Sequence, residues 1–236
     1  MSKDLIERLH ALTPSRVRLD PAGGAAPLAA VLDFQACHAA ARAAIHGQVD
    51  WDSIAAALDG SSFRVASRAT ARADYLRRPD LGRMLDPSAI VPKVQCDVAL
   101  VVADGLSATA IAHHAPAMCN LLMSALKGMT IGPIALVEGG RVAIADEIGD
   151  RMGARLTIML IGERPGLSVS DSLGAYLTFA PRAGTPDSLR NCVSNIHDKG
   201  GLDHAAAAHK IAWLVRQAMH RSLTGTALKD DSHLLG

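Results

Sequence analysis

Aromatic residues are scarce in this 236-residue chain: three Phe, two Trp and two Tyr. So few rings leave little for the stacking platforms that hold single-stranded nucleic acid. Net charge is lacking too, with 24 Lys and Arg against 23 Asp and Glu. A basic face is the usual footprint of a nucleic-acid binder, and this balance argues against one. Closely spaced cysteines are absent. Cys37, Cys96, Cys119 and Cys192 stand 59, 23 and 73 positions apart, with no Cys-x-x-Cys or Cys-x-x-His. Such spacing offers neither a zinc site nor a redox pair, and four cysteines in so long a chain do not make a disulfide framework. The longest apolar runs, Val98–Ala103 and Leu156–Ile161 among them, fall far short of the ~20 residues that cross a bilayer. The opening Met1–Leu9 carries acids inside its apolar pattern, unlike a secretion signal. A soluble protein of the reducing cytoplasm is expected.

What is present is a core-former, with 49% apolar residues. A chain of this length buries roughly 70–75% of its unfolded surface, enough for one large domain or two small ones. Residues 1–94 read as a helical N-terminal region. Val31, Phe34, Cys37, His38, Ala41 and Ile45 recur at helical spacing and predict one buried face. Ile54–Leu58 predicts a second short helix. Arg64, Arg68, Arg72, Arg77, Arg78 and Arg83 then crowd within twenty residues. They are either a solvated surface paired with Asp74 and Asp80, or a contact for an anion or partner, since Arg forks bind carboxylate and phosphate bidentately.

Residues 95–236 change grammar. Val98–Val102 is a Val-rich run that ends in Asp104-Gly105-Leu106-Ser107, with a helix predicted from Ala108. Ile134–Val137 ends in Glu138-Gly139-Gly140, and Arg141–Ile148 leads into a further helix. Leu156–Ile161 ends in Gly162-Glu163-Arg164-Pro165-Gly166, Ala175–Phe179 ends in Ala180-Pro181-Arg182, and a helix over His204–Ser222 closes the chain. Alternating strands and helices predict an α/β fold: a Rossmann-like, mostly parallel sheet with helices on both faces. Ligands of such sheets sit outside the carboxyl ends of the strands. That rule selects the Asp104–Ser107 turn, the Gly162–Gly166 turn and the segment beyond Phe179.

Several short motifs do not stand up. Gly105-Leu106-Ser107-Ala108-Thr109 approaches the nucleophile elbow of serine hydrolases, but its last glycine is missing and Thr109 would crowd the turn. A helix-capping Ser107 is the better reading. Adjacent His113 and His114 point to different faces of a helix and make no i,i+4 metal pair. Neither Gly-x-Gly-x-x-Gly nor Gly-x-x-x-x-Gly-Lys-Ser/Thr occurs, so a standard dinucleotide or nucleoside-triphosphate site is unsupported. The ending Asp231-Ser232-His233-Leu234-Leu235-Gly236 matches the Asp-x-His-x-x-Gly loop that offers His to cobalt in one class of cobalamin proteins. It has neither the strand before it nor the domain after it that such a loop joins, and reads as a frayed terminus.

Longer strings carry more. Leu32–His38, Tyr75–Arg83, Asp104–Ser107, Gly162–Leu167, Asp171–Tyr176 and Asn191–Ile196, taken in order, resemble the small (light) subunit of ethanolamine ammonia-lyase. The likeness runs from about residue 15 to residue 229. It implies a subunit of an adenosylcobalamin-dependent lyase that converts ethanolamine to acetaldehyde and ammonia by a radical route. In that family the large subunit holds the substrate and most catalytic groups, and the small one covers the cobalamin from the other side. By matching strings, the resemblance puts the cobalamin contacts at Val142, Glu163 and Cys192, with no catalytic residue and no metal ligand in this chain. It implies a hetero-oligomer with the large subunit, inactive without it. Many members carry a longer N-terminal extension linked to packaging in a bacterial microcompartment; about fifteen residues precede the shared strings here. Two other functions remain open at this point: an assembly subunit with little cofactor role, and a hydrolase using Ser107.

Overall fold

A computed structural model of the chain describes residue 8 and residues 27–231. The frame is a six-stranded mixed sheet of order β1-β3-β2-β4-β5-β6. Its strands are β1 (Ser62–Ala66), β2 (Val98–Ala103), β3 (Ile134–Glu138), β4 (Leu156–Gly162), β5 (Leu173–Phe179) and β6 (Arg190–Ile196). β1 to β4 run parallel, while β5 and β6 are antiparallel additions on the β4 side. The helices are α1 (Leu28–His46), α2 (Trp51–Ala56), α3 (Arg72–Arg77), α4 (Ala108–Ala125), α5 (Ile144–Met152) and α6 (His204–Arg221).

β2 shows why the middle of the sheet is buried on both faces. All six of its residues are inaccessible, as a central parallel strand covered by helices must be. Val98, Leu100 and Val102 point into the layer that contains Ile111, Met118 and Leu122 of α4 and Ile211 and Val215 of α6. Ala99, Val101 and Ala103 point the other way, onto Ile144, Ile148 and Met152 of α5. The period of two along the strand thus feeds two separate cores. Each Leu, Ile or Val fully buried there contributes roughly 1.5–3 kcal/mol. The connection from β2 leads through α4 to β3 on one side, and the connection from β3 leads through α5 to β4 on the other. The carboxyl ends of β2 and β4 therefore flank the point where the winding reverses.

The expected α/β sheet is present, with four differences from the sequence reading. First, Ser62–Ala66, read as part of a helical region, pairs in register with Ile134–Glu138 as an edge strand. Its short, Arg-broken apolar pattern hides the strand. Second, β5 returns antiparallel, with Phe179 opposite Leu156. The segment beyond Phe179 therefore lies at the opposite edge from the Asp104 and Gly162 turns, because a short connection without a helix can only reverse direction. Third, the stripe on α1 is not a buried face: Val31 is 36% and Phe34 47% exposed, and within α1 only Ala44 is buried. Among the described residues, only the C-terminal part of α1 packs on the body. The helix after β3 also begins earlier than expected, at Ile144 inside the Arg141–Ile148 stretch.

Capping explains other boundaries. Ser107 Oγ accepts from the Ala110 amide at 3.1 Å and starts α4, while Asp203 accepts from Ala206 at 2.8 Å and starts α6. The terminal Asp-x-His-x-x-Gly string, beyond Asp231, and the Met1–Leu9 pattern, apart from Arg8, lie outside the described residues.

Candidate functional site

The antiparallel pair β5–β6 extends the sheet past α5, and no described helix covers its α5-side face. The uncovered strip is a groove of about 410 Å³. Its floor is Tyr176 and Cys192, which stand opposite each other in the β5–β6 register. Its walls are Val142 and Ala143, just before α5, and Arg83 and Arg141. The rung that ends in Tyr176 and Cys192 starts with Val101 and Met159 under α5. The groove is therefore the continuation of a core row into the open.

A buried ion pair holds the groove's far end. Arg190 of β6 donates from Nη1 to Asp146 Oδ1 of α5 at 2.6 Å and to Thr178 Oγ1 at 3.1 Å. The two charged side chains are 3% and 0% exposed. Burial pushes the Asp146 carboxyl up, and the Arg190 guanidinium pulls it back. A link of this kind fixes the distance between β6 and α5, hence the width of the groove.

Two of the three residues singled out from the sequence, Val142 and Cys192, line this one groove. The third, Glu163, sits beside it at the carboxyl end of β4. Glu163 Oε2 accepts from Ser172 Oγ at 2.5 Å and from the Asn195 amide at 3.3 Å. Its carboxylate lies over Gly174, where an added Cβ would come within 2.9 Å of Oε1. Gly174 and Tyr176 share one face of β5, so Glu163 stands one position, about 7 Å, along the strip from the groove floor. Burial raises the Cys192 thiol; the hydrogen bond from Tyr176 lowers it and the Glu163 charge raises it further. A thiol held protonated in this way is a packing and hydrogen-bonding group, not a nucleophile.

The Asp104 turn serves a different place. Leu106 N donates to Gly162 O at 2.8 Å, which joins the β2 and β4 turns as the winding rule requires. Asp104 itself takes Arg72 Nη1 at 3.2 Å. Burial raises the Asp104 carboxyl to about 6, and Arg72 only partly offsets it. Around the pair is a second hollow of about 320 Å³, lined by His46, Trp51 and Tyr75. Arg72 and Arg141 both stack on this turn's neighbour Tyr75, at 4.7 and 4.1 Å from its ring centroid. Sequence reasoning selected the Asp104–Ser107 turn but not its pairing with Arg72, which stands 32 positions away, or the stacking on Tyr75. Of the Arg-rich segment, Arg78 pairs with Asp80 and Arg64 with Asp52, while Arg83 borders the groove.

Ser107 is not free to attack. Its hydroxyl is buried, caps α4 and donates to Ser170 O at 2.8 Å. No His is among its partners.

The sequence matches the family model of the ethanolamine ammonia-lyase light chain (EutC) over residues 3–229. The chain belongs to the ethanolamine ammonia-lyase light-chain family. It is 48% identical over 235 residues to the ethanolamine ammonia-lyase small subunit of Bradyrhizobium diazoefficiens, covering 95% of this chain and 90% of that one. The small subunit of Azotobacter vinelandii is 46% identical, with 97% and 89% covered, and that of Xanthomonas campestris pv. campestris 47% identical, with 99% and 91% covered. Light-chain membership therefore extends over the whole sheet and both hollows. No described helix is long and apolar enough to cross a membrane.

Proposed function

We propose that the chain supplies one wall of an adenosylcobalamin site, closed by the large subunit of an ethanolamine ammonia-lyase, and is inactive alone. The observation that carries this reading is the convergence of Val142 and Cys192 on a single open groove, with Glu163 at its end. The groove is too small for a whole corrin and too open to exclude water, which suits a surface completed by a second protein. Its chemistry suits a rim of amide side chains. Arg83 and Arg141 can donate to amide oxygens, and the buried Arg141 Nε has no hydrogen-bond partner. Asp187 and Glu163 can accept from amide nitrogens. Val142 and Tyr176 offer apolar contact.

The chemistry adenosylcobalamin contributes when bound in such a lyase is radical generation; the protein's part is position and electrostatics. For this chain that part is binding and water exclusion. Cys192, held protonated, and Glu163, held by Ser172 and Asn195, orient the ligand without exchanging protons with ethanolamine. The same reading puts the work in ethanolamine breakdown, in the cytoplasm or within a bacterial microcompartment.

The test is co-expression with the large subunit, purification of the pair, and measurement of acetaldehyde formed from ethanolamine with and without adenosylcobalamin. Cofactor-dependent activity of the pair and none from either chain alone is expected. Activity of this chain alone, or none from the pair, overturns the reading. An assembly subunit without a cofactor role predicts that Glu163→Ala and Cys192→Ala leave cobalamin affinity unchanged.

A further inference from the structure

On the opposite face of the sheet from the groove, the fold assembles a cluster that no sequence spacing announces. His113 and His114 of α4 meet Asp171, which lies 58 and 57 positions further on, in the segment before β5. One ligand atom from each of the three lies within 4.8 Å of the others. We propose that His113, His114 and Asp171 bind one divalent transition-metal ion of the zinc type, leaving a fourth position for water.

The geometry accommodates an ion where the apo chain has a hydrogen-bonded pair. His113 Nδ1 stands 3.2 Å from Asp171 Oδ2. Two ligands on a tetrahedral ion with bonds of about 2.0–2.1 Å are separated by roughly 3.3 Å. The pair is already at that separation. His114 supplies the second observation. Its side chain is only 3% exposed, and its buried Nε2 has no hydrogen-bond partner. A buried ring nitrogen without a partner is costly unless something else occupies it. Its other nitrogen, Nδ1, is held by His204 Nε2 at 2.9 Å. A proton on Nδ1, donated to His204, leaves Nε2 as a bare lone pair. Such an outer hydrogen bond is what fixes tautomer and orientation in metal-bound histidines.

Lys199 is the feature that opposes an ion: its Nζ lies 3.1 Å from Asp171 Oδ1. The Lys199 side chain is 57% exposed, so it can leave for water when a cation arrives. The other Asp171 oxygen, on the His113 side, is the ligand. An ion here would pin the segment from Glu163 to Ser172, since Ser170 and Ser172 are tied to Ser107 and Glu163. The site stands independently of the cobalamin reading.

The test is titration of the full chain with Co²⁺ alone, followed by its visible absorption, in a Cys192→Ser background that removes the exposed thiol. If the chain does not stay in solution, the same variants are titrated in the co-purified complex. One saturable equivalent with the bands of tetrahedral cobalt is expected. His113→Ala, at an exposed position, and Asp171→Asn should each weaken binding more than tenfold. His204→Ala, at the positioning residue, should weaken it 10–100-fold, and Lys199→Met should tighten it. No saturable binding, or equal binding by His113→Ala and Asp171→Asn, overturns the proposal and leaves a charge cluster only.

Discussion

Arg190 and Asp146 meet in a buried ion pair, Nη1 to Oδ1 at 2.6 Å, that ties the outermost strand to the helix on the neighbouring stretch of sheet. Elsewhere β6 is held by its ladder to β5 and by Val193 and Ile196 in the core under α6, so this pair is its tie to α5. No described helix lies over it on that face, and its cysteine is exposed. Cutting one partner leaves the other charged and dry, which costs about 3–5 kcal/mol. Arg190→Ala should lower the unfolding free energy in urea by that amount. The pair Arg190→Met with Asp146→Leu should recover most of it. A loss under 1 kcal/mol for Arg190→Ala, against the ~3–5 expected, would show that the pair is not what ties β6 to α5.

Two glycines, one in the Asp104 turn and one beside the groove, should respond differently. Gly105 has φ +56°, and an added Cβ would come within 2.3 Å of the Gly162 carbonyl oxygen. Backbone cannot yield there, so Gly105→Ala should cost about 2 kcal/mol or more, read as a drop in Tm. At Gly174 the neighbour is the end of the Glu163 side chain, which can swing away. Gly174→Ala should fold with nearly unchanged Tm and yet weaken cobalamin binding by the assembled complex. Equal damage from both would mean that Glu163 is locked by the fold and not by its own hydrogen bonds.

Asp104 gives a pH dependence with a definite sign. Its carboxyl is raised from 3.8 to about 6, by burial first, against the pull of Arg72. The unfolded chain therefore loses this proton before the folded chain does. The group's contribution to stability is complete below pH 3.8 and disappears as pH rises through 6. A shift of this size is worth at most about 3 kcal/mol. Unfolding free energies of wild type and Asp104→Asn, compared from pH 4 to 6.5, should converge or cross as wild type loses that increment. Parallel curves would contradict the buried-acid account.

Ser107 is a cap and not a nucleophile. Ser107→Ala should cost about 1 kcal/mol or somewhat more, since it frees both the Ala110 amide and the Ser170 carbonyl. Ester hydrolysis by this chain should be absent before and after the change. Hydrolysis that disappears with Ser107→Ala would revive the hydrolase reading.

Much of the fold was legible because β2, β4 and α6 carry unbroken patterns: a buried Val run, a second apolar run, and a long capped helix. β1 was not legible, since its five residues include Arg64 and pair only on one side. The reversal at β5 was hidden for a different reason. A strand's direction is set by the connection before it, and the 163–172 connection looks like any loop. Of the candidate site, the turn that carries Glu163 was legible from physics alone, at the end of a strand. Val142 and Cys192 came from resemblance, and only the folded chain, in which both line one groove, shows that they share a surface. The Asp171 cluster was illegible, because its members are distant in sequence and its two histidines are wrongly spaced for a helix-borne pair.

Cobalamin binding by this groove is the property on which the proposed role of the chain depends. The direct measurement is adenosylcobalamin affinity of the assembled complex, with variants confined to this chain. Cys192→Trp, which fills the groove floor, should raise Kd at least tenfold, and Glu163→Ala should raise it severalfold, with the complex still intact by size-exclusion chromatography. Unchanged Kd in both variants, within an intact complex, would contradict the account and leave the chain an assembly subunit.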